Sequence, residues 1–462
     1  MLYKGRTLLG LAVLLGIVVT ACSSSTGNST VEPGSQPNTG SSGEIGQVNR
    51  IAYVSPSGNL FTVDADGGEL TQLTGGFQAQ QDPSGQGSLG QGSPERGSQG
   101  SIQAEPLGLS EYYTWPTWSA DGTKLAASRV VVKENTTEIS IQVIDARTGR
   151  SETVFENQEL GLIAEGTPHY IYWAPSGDSL SFLSTSPTGL SLFVWDGIPG
   201  NPASAIDRGA PLYYQWSKDA SIMALHIGLD VSLAAPPVAG GSRQTFEASG
   251  GFRVPAISPD GANLAYVTDS GGEMGLYVAP INDLGQARKV IDVGALTSFL
   301  WSPDGTQLAV ADQFNPRAAL YDRLMLVPVG SGLVTTLTTE DVLAFFWAPT
   351  GDKLAWVSVD PDAGEMGWMV SLTDGSDAKK LFSLIPSREV AIMLGFFDQY
   401  ANSHSPWSPD GKSLVVAGSK SGTARGSNGR TPTGDRIYVL DAEGGDEPVD
   451  LGAGVLAVWS WN

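Results

Sequence analysis

Residues 301–305 read Trp301-Ser302-Pro303-Asp304-Gly305 and are followed by the alternating apolar stretch 308–311. Pro303 restricts its own φ, Asp304 can hydrogen-bond the neighbouring backbone, and Gly305 tolerates a positive φ, so the pentapeptide predicts a tight turn. Apolar residues on both sides predict two antiparallel strands joined by this turn. The tryptophan before the turn is wide enough to fill the gap between neighbouring sheets.

Seven further variants of this pentapeptide recur along the chain. They begin at Trp118 (WSADG), Trp173 (WAPSG), Trp216 (WSKDA), Ile257 (ISPDG), Trp347 (WAPTG), Trp407 (WSPDG) and Trp459 (the truncated WSWN). Successive copies are separated by 55, 43, 41, 44, 46, 60 and 52 residues. A period of roughly 40 to 45 residues, with four strands per repeat, is typical of β-propeller blades. The sequence therefore predicts an all-β propeller of eight four-stranded blades, and a count of seven stays open as the alternative.

The two ends of the folded region complement each other. Residues 51–54, 60–63 and 70–73 predict three strands with no Trp turn among them, and the chain closes with a lone strand at 455–460. Pairing the C-terminal strand with the N-terminal strands would complete one blade and remove two open sheet edges. We therefore assign residues 49–462 to the propeller. Residues 75–107 are rich in Gly, Gln and Ser and predict a disordered insertion within it.

The N-terminus predicts secretion and lipidation. Lys4 and Arg6 precede an apolar stretch at 8–19, so residues 1–21 have the pattern of a signal peptide. Val19-Thr20-Ala21-Cys22 resembles the bacterial lipobox, which is cleaved before a lipid-modified cysteine, and Cys22 is the only cysteine in the chain. Residues 22–48 then predict a flexible Ser/Gly/Pro linker. The expected location is the bacterial cell envelope, outside the cytoplasm, with a lipid anchor in the cytoplasmic membrane or in an outer membrane if one is present.

The formal net charge of −22 limits the partners of the protein. A strongly acidic chain is repelled by phosphate backbones and by anionic lipid headgroups. We therefore expect no nucleic acid partner, and we expect contact with the membrane only through the N-terminal lipid.

The repeat resembles that of a known family. The WSPDG turn with its following strand, together with YVLDAEGG at 438–445 and FTVDADGG at 61–68, looks like the TolB-type, WD40-like propeller repeat. Similar repeats occur in the propellers of the dipeptidyl peptidase and oligopeptidase families. The resemblance covers residues 50 to 462 and implies the propeller fold, whereas the functions of these families vary widely.

The chemistry of the chain favours binding over catalysis. No G-x-S-x-G nucleophile elbow and no H-E-x-x-H zinc motif occurs in the sequence. We therefore predict a non-catalytic module that binds or scaffolds a protein or ligand, without a cofactor or metal. Two alternatives stay open. One is a metal-assisted glycan lyase or hydrolase, because the resemblance includes a lyase branch whose metal is held by histidines at the channel mouth. The other is a substrate-capture lipoprotein that serves a transporter.

The loops that lead into the innermost strands are the candidate binding face. They carry an apolar excursion at 389–403 for which the repeat gives no reason, and we expect it to form a lid or short helix over one end. The candidate binding residues are His169, Arg253, Phe396, Phe397, Asp398, Tyr400 and His404. A protein or glycan partner in the envelope would use Phe396, Phe397 and Tyr400 as aromatic anchors. The competing interpretation is that the excursion plugs the channel.

Overall fold

The computed structural model describes residues 49–75, 111–133, 136–160, 168–186, 189–235, 242–247, 254–269, 274–330, 332–360, 364–420 and 434–461. The predicted signal peptide, Cys22, the predicted linker and nearly all of the insertion predicted at 75–107 lie outside the described residues. Within the described part, no helix has the length and apolar character needed to cross a bilayer.

More than half of the described chain lies in antiparallel sheets, and helices are few. The first half contains β1 (Arg50–Val54), β2 (Leu60–Asp64), β3 (Thr71–Gln72), β4 (Glu111–Trp118), β5 (Lys124–Val132), β6 (Thr136–Asp145), β7 (Ser151–Leu160), β8 (His169–Trp173), β9 (Leu180–Ser186), β10 (Gly189–Trp195), β11 (Ser204–Arg208), β12 (Leu212–Trp216), β13 (Met223–Ile227), β14 (Asp230–Ala235) and β15 (Ser242–Glu247). The sheet orders are β4-β5-β6-β7, β11-β10-β9-β8 and β12-β13-β14-β15, while β1 to β3 belong to a sheet completed by the last strand of the chain.

The second half repeats this pattern and adds two helices. It contains β16 (Ala256–Ile257), β17 (Asn263–Asp269), β18 (Met274–Pro280), β19 (Arg288–Asp292), β20 (Thr297–Trp301), β21 (Gln307–Asp312), β22 (Arg323–Pro328), β23 (Thr335–Thr338), β24 (Val342–Trp347), β25 (Lys353–Asp360), β26 (Glu365–Leu372), β27 (Lys379–Pro386), α1 (Arg388–Gly395), α2 (Phe397–Tyr400), β28 (Ser413–Ser419), β29 (Arg436–Asp441), β30 (Val449–Ala453) and β31 (Leu456–Trp459), with a 3-10 turn at Leu284–Gln286. Strands β16 to β19 and β20 to β23 form four-stranded sheets, and β24 to β30 form a seven-stranded one.

The repeated pentapeptide forms the predicted turn between antiparallel strands. Trp301 at the end of β20 lies opposite Leu308 of β21. Gly305 has a φ of 70°, and Asp304 Oδ1 accepts hydrogen bonds from the Ser302 hydroxyl at 2.6 Å and from the Thr306 N–H at 3.0 Å. These donors lower the pKa of Asp304, first the Ser302 hydroxyl and then the Thr306 N–H. The prediction of a tight turn is confirmed.

Indole hydrogen bonds join most of the sheets to the one before. The acceptor is usually the carbonyl of the residue just before the preceding repeat's Trp or Ile. The donor–acceptor pairs are Trp118 to Val458 (3.2 Å), Trp173 to Thr117 (3.1 Å), Trp301 to Ala256 (2.9 Å), Trp347 to Leu300 (3.2 Å) and Trp407 to Phe346 (3.0 Å). Trp216 instead donates to the Ser181 hydroxyl at 2.7 Å. The prediction that these tryptophans fill the gaps between sheets is confirmed.

The C-terminal strand lies beside the first strand of the fold. β31 pairs antiparallel with β1, so that Ile51 lies opposite Trp459 and Val54 opposite Leu456. The resulting sheet has the order β3-β2-β1-β31. β31 also packs against β4 on one side and β28 on the other.

The seven-stranded sheet forms because the end of β27 pairs with β28. Ile385 and Pro386, at the end of β27, pair with Ser419 and Gly418 of β28, and the Ser387 N–H donates to the Ala417 carbonyl. Further along β28, the Val415 N–H donates to the Pro406 carbonyl. The innermost strand beside β28 therefore consists of two pieces, 385–387 and 406–407, with the chain leaving the sheet between them.

The size of this excursion accounts for the longest interval between repeats. Ala417 and Val415 are two residues apart on β28, whereas their partners Ser387 and Pro406 are nineteen apart. Seventeen residues are therefore inserted into the strand, and without them the interval from Trp347 to Trp407 falls from 60 residues to 43. We call residues 388–405 the plug. It contains α1 and α2.

Candidate functional site

The innermost strands run between two faces of the molecule. The turn face carries the turns that follow the repeated tryptophans, such as 302–306. The loop face carries the segments that lead into the same strands, such as those before Leu212, Thr297 and Val342. The plug leaves the sheet between these faces and fills the space among the innermost strands.

Contacts to strands from several sheets hold the plug in place. Ser387 caps α1 by accepting a hydrogen bond from the Val390 N–H at 3.2 Å. α2 packs against β12, β20 and β24, which belong to three different sheets. The Gln399 side-chain amide donates to the Leu212 carbonyl at 3.5 Å, and the Ser298 hydroxyl donates to Asp398 at 3.2 Å. The plug is therefore an ordered part of the core.

Two of the three predicted aromatic anchors are buried. Phe397 and Tyr400 are each 2% exposed, whereas Phe396 is 41% exposed. The Phe397 ring lies 4.9 Å from that of Phe345, and the Tyr400 ring stacks on Trp115 at 5.3 Å. Direct docking through Phe397 and Tyr400 is thus wrong, because packing against the innermost strands already covers both rings. The competing interpretation of the excursion, a plug in the channel, describes the structure.

The rings that receive Tyr400 come from two irregular strands. Trp115 and Tyr170 have positive φ values of 55° and 50°, and the strand register shifts around both. Each lies three residues before a repeated tryptophan, as His404 does. Such bulges re-aim a side chain at a local cost in backbone strain. Here the strain turns Trp115 and Tyr170 toward Tyr400, whose ring lies 5.6 Å from that of Tyr170.

His404 also lies inside the molecule, not on the predicted binding face. It is 2% exposed, its Nδ1 lies 2.8 Å from the Ser403 hydroxyl, and its ring meets Tyr400 edge-on at 5.4 Å. Burial lowers the pKa of His404 to about 3, with the Pro116 backbone opposing the shift, so the imidazole is neutral at physiological pH. A buried neutral His404 cannot contact a partner on the surface.

The remaining predicted residues are scattered. His169, the first residue of β8, is half-buried, as is Asp398, and Arg253 lies outside the described residues. Phe396 is therefore the single predicted anchor with substantial exposure. In the described part of the chain, no group of three or more His, Cys, Asp or Glu side chains is arranged to hold a metal ion.

A cavity of about 310 Å³ opens at the turn face, above the end of the plug. Ala401, Asn402 and Ser405 of the plug form its floor. Its walls come from five successive repeats and are Tyr172, Pro175, Gln215, Trp216, Lys218, Ile257, Ser258, Pro259, Leu300, Trp301, Pro303, Phe346, Trp347 and Pro349. We call this cavity the funnel. It is a blind site, because the packed plug lies beneath it.

The polar groups of the funnel are mainly hydrogen-bond donors. Gln215 Oε1 accepts the Ile257 N–H at 2.6 Å, which leaves the amide nitrogen of Gln215 without a partner among the described residues. The buried Asn402 Nδ2 likewise has no acceptor in the part of the chain that the structure describes. Lys218 is exposed at the rim. No Asp or Glu side chain lines the funnel.

Sequence reasoning missed the funnel because its walls are the repeat itself. The tryptophans and prolines of the pentapeptides were explained by packing and by turn geometry. Gln215, Lys218 and Asn402 carry no motif of their own. The sequence contains no local signal that brings residues from 172 to 405 around one cavity.

Comparison with known proteins concerns the fold. No family model matches the chain, and no curated protein matches it. Among solved structures, TolB from Acinetobacter baumannii is 15% identical at a TM-score of 0.38, over 76% of this chain and 83% of that one. The β-propeller domain of the trilobed protease from Pyrococcus furiosus is 10% identical at a TM-score of 0.45, over 74% of this chain and 97% of that one.

A prolyl endopeptidase is also similar, at 13% identity and a TM-score of 0.50. This match covers 76% of the present chain but only 51% of the enzyme. At such low identities the likeness shows the fold alone. The chain is a β-propeller protein whose structural neighbours include TolB.

Proposed function

We propose that this protein is a non-catalytic β-propeller module that binds a partner in the funnel on its turn face. The observation that carries the proposal is the blind funnel, whose floor is a segment inserted into an innermost strand. A cavity of about 310 Å³ with apolar walls and a few convergent polar groups is typical of a binding site. The propeller supplies a rigid frame for it, because indole hydrogen bonds join most of its walls to their neighbours and the Ile257 N–H donates to Gln215 where the repeat has no tryptophan.

The chemistry of the funnel supports binding over catalysis. Its lining contains no His, Cys, Asp or Glu, which are the usual acids, bases and metal ligands. The strongly perturbed groups Tyr170, Tyr400 and His404 are buried in the packed core around the plug, and Tyr172 of the funnel wall, whose pKa burial also raises, is only 3% exposed. The lyase alternative depended on histidines at a channel mouth, and the burial of His404 removes one of them from that position.

Site-specific photocrosslinking in envelopes of the source organism tests where the partner binds. Lys218 at the funnel rim and Lys412 in the equivalent turn of another repeat are both exposed, so p-benzoylphenylalanine fits at either position. Phe314, which is 71% exposed on the loop face, gives a third probe position. We expect one adduct from position 218 and none from 412 or 314. An adduct from position 314 alone would place the partner on the loop face instead.

The proposed location is the cell envelope, through a lipid on Cys22. The first described strand begins at the turn face, where the Arg50 N–H donates to the Ser460 hydroxyl at 3.0 Å, so the linker would emerge beside the funnel. A flexible segment of 27 residues spans an r.m.s. distance of roughly 30 Å. Cys22→Ala should yield uncleaved precursor or soluble protein upon fractionation of cells. Unchanged processing and membrane association would contradict the anchor.

The proposed architecture is a closed ring of eight blades. Two features support it, namely the pairing of β31 with β1 and the packing of β31 against both β4 and β28. In this arrangement the seven-stranded sheet is two blades, joined because the end of β27 serves as part of the next innermost strand. Closure would leave the ring without an open seam beside the funnel.

A further inference from the structure

We infer that the funnel receives the C-terminal carboxylate of a peptide whose preceding residues are basic. This inference rests on the proposed function, because it assigns a ligand class to the same cavity. It concerns the chemistry of the floor, the walls and the rim, which differ in polarity and charge.

The floor and lower wall offer donors that the protein itself does not use. The amide nitrogens of Gln215 and Asn402 have no acceptors among the described residues, and Asn402 Nδ2 is fully buried. An unsatisfied buried donor costs free energy that a bound acceptor recovers. The Lys218 ammonium adds a positive charge at the rim. A carboxylate satisfies such a set best, because it accepts several hydrogen bonds and carries the opposite charge.

The walls favour a peptide end over a sugar. Trp301 and Trp347 are each 8% exposed and Trp216 is 3% exposed, so none presents the open ring face on which a sugar stacks. Tyr172 and Phe346 are likewise at most 3% exposed, and the other apolar wall residues are Ile257, Leu300 and four prolines. This surface suits an apolar side chain on the last residue of a peptide. The volume lies at the lower end of the range for ligand pockets and fits the end of a chain.

The rim carries three carboxylates in addition to Lys218. Asp219, Asp260 and Asp304 each follow a funnel residue in its turn, and all three are exposed. Hydroxyl and backbone N–H donors within the turns lower the pKa of each carboxyl, so all three are ionised at neutral pH. Lysine or arginine residues upstream of the peptide carboxylate would meet these charges, and the net charge of −22 would attract them at longer range.

Another cavity among the described residues lacks this chemistry. It measures about 280 Å³ on the loop face and is lined by Glu340, Asp341, Asp360 and Glu365, with Lys380 as its one basic residue. Four carboxylates would repel an anion. The donor-rich funnel therefore differs from this acidic cavity in the charge of ligand that it favours.

Fluorescence anisotropy with a labelled peptide tests the inference directly. The probe contains two lysines and ends in leucine, and it is prepared with a free carboxylate and with a C-terminal amide. We expect the carboxylate form to bind roughly tenfold or more tightly than the amide. Equal binding of the two forms would overturn the inference. Preferential displacement of the probe by an oligouronate would overturn it in favour of a glycan.

Isosteric variants distinguish binding of the carboxylate in the funnel from a general effect of the protein's charge. Gln215→Glu keeps the acceptor for the Ile257 N–H and replaces the free amide nitrogen with a negatively charged oxygen, and Asn402→Asp makes the same change on the floor. Each should abolish the preference for the carboxylate form. Asn315→Asp adds the same charge at an exposed loop-face position and should leave binding unchanged. Retained preference in both funnel variants would contradict the inference.

Failure of the inferred ligand class can be distinguished from failure of the funnel as the binding site. Crosslinking from position 218 together with equal binding of carboxylate and amide peptides would leave the funnel as the binding site and reject the ligand class. Absence of any adduct from position 218, together with equal binding of the two peptide forms by the unsubstituted protein, would reject the site itself.

Discussion

Trp459 has the same place in the repeat as Trp407, yet its buried indole N–H has no acceptor among the described residues. The equivalent acceptor would be the carbonyl of Pro406, which already accepts the Val415 N–H at 2.8 Å. Trp407 donates to the Phe346 carbonyl at 3.0 Å. The two tryptophans thus have similar burial and different hydrogen bonding.

This pair gives a prediction about the indole hydrogen bond. Substitution by phenylalanine keeps an aromatic ring and removes the N–H. Trp407→Phe should lower the free energy of unfolding by about 1 to 2 kcal/mol more than Trp459→Phe, because Trp407→Phe loses an indole hydrogen bond, whereas Trp459→Phe removes a buried donor that has no acceptor among the described residues. Urea denaturation of both variants measures the difference. Equal losses would mean that ring size alone determines the cost.

His404 predicts a dependence of stability on pH. Its pKa is lowered by burial to about 3 in the folded protein, below the value of about 6.5 in an unfolded chain. The stability it confers is complete above pH 6.5 and is lost as the pH falls toward 3, because the unfolded chain binds the proton first. The expected slope is about 1.4 kcal/mol per pH unit.

His404→Gln should flatten the stability profile between pH 6.5 and 5, as measured by urea denaturation. His169→Gln, at a half-buried position on the loop face, serves as the control and should retain the decline. Burial raises the carboxyl pKa values of Glu389 and Asp435, so these two groups make stability rise as the pH falls. Both variants retain them, so their contribution cancels in the comparison. A decline that survives in His404→Gln would assign the dependence to other groups.

At the scale of the element, the plug is an insertion into one strand, and it fills the space among the innermost strands. Phe396 and Phe397 are neighbours in the chain with opposite environments, at 41% and 2% exposure. The Phe397 ring contacts Tyr321, Phe345 and Phe346, which lie on the strands around the plug or the loop beside them. Substitutions at these two adjacent positions therefore distinguish the effect of losing a packed ring from the effect of losing an exposed one.

Phe397→Ala should cost about 3 to 5 kcal/mol of stability, because it removes a fully buried ring and leaves a cavity. Phe396→Ala should cost well under 1 kcal/mol, since its ring is already partly in water. Thermal unfolding followed by circular dichroism compares the two variants. Similar melting temperatures for both would mean that the plug contributes little to the core.

At the scale of the whole molecule, β31 joins the last residues of the chain to the first. Leu456, Val458 and Trp459 are at most 2% exposed, and Trp118 donates to the Val458 carbonyl across the next sheet boundary. Removal of this strand would expose one edge of β1 and a gap between two blades.

Deletion of residues 454–462 should lower stability by several kcal/mol, because three large buried side chains are lost together. A synthetic peptide with the sequence of 454–462, added in trans, should pair with β1 and raise the melting temperature again, whereas a scrambled peptide should not. An unchanged melting temperature upon deletion would contradict the closed ring.

The sequence by itself determined the parts of this protein that depend on local chemistry. Ser302, Pro303, Asp304 and Gly305 specify their turn from within five residues, and apolar alternation specifies the strands on either side. Repetition of that unit predicted the propeller, and the width of the tryptophan side chain predicted its place between sheets.

Only the tertiary structure decided where the plug, the two bulges and the funnel lie. The plug starts and ends where Pro386 and Trp407 pair with β28, and these pairings join residues that are distant in the chain. Phe397 and Tyr400 are as apolar as exposed anchors would be, so the sequence composition could not predict whether their side chains are buried or exposed. The donors of Gln215 and Asn402 that lack acceptors among the described residues converge only because five repeats and the plug meet at the turn face. Contacts of that kind depend on long-range packing, which no window of local sequence contains.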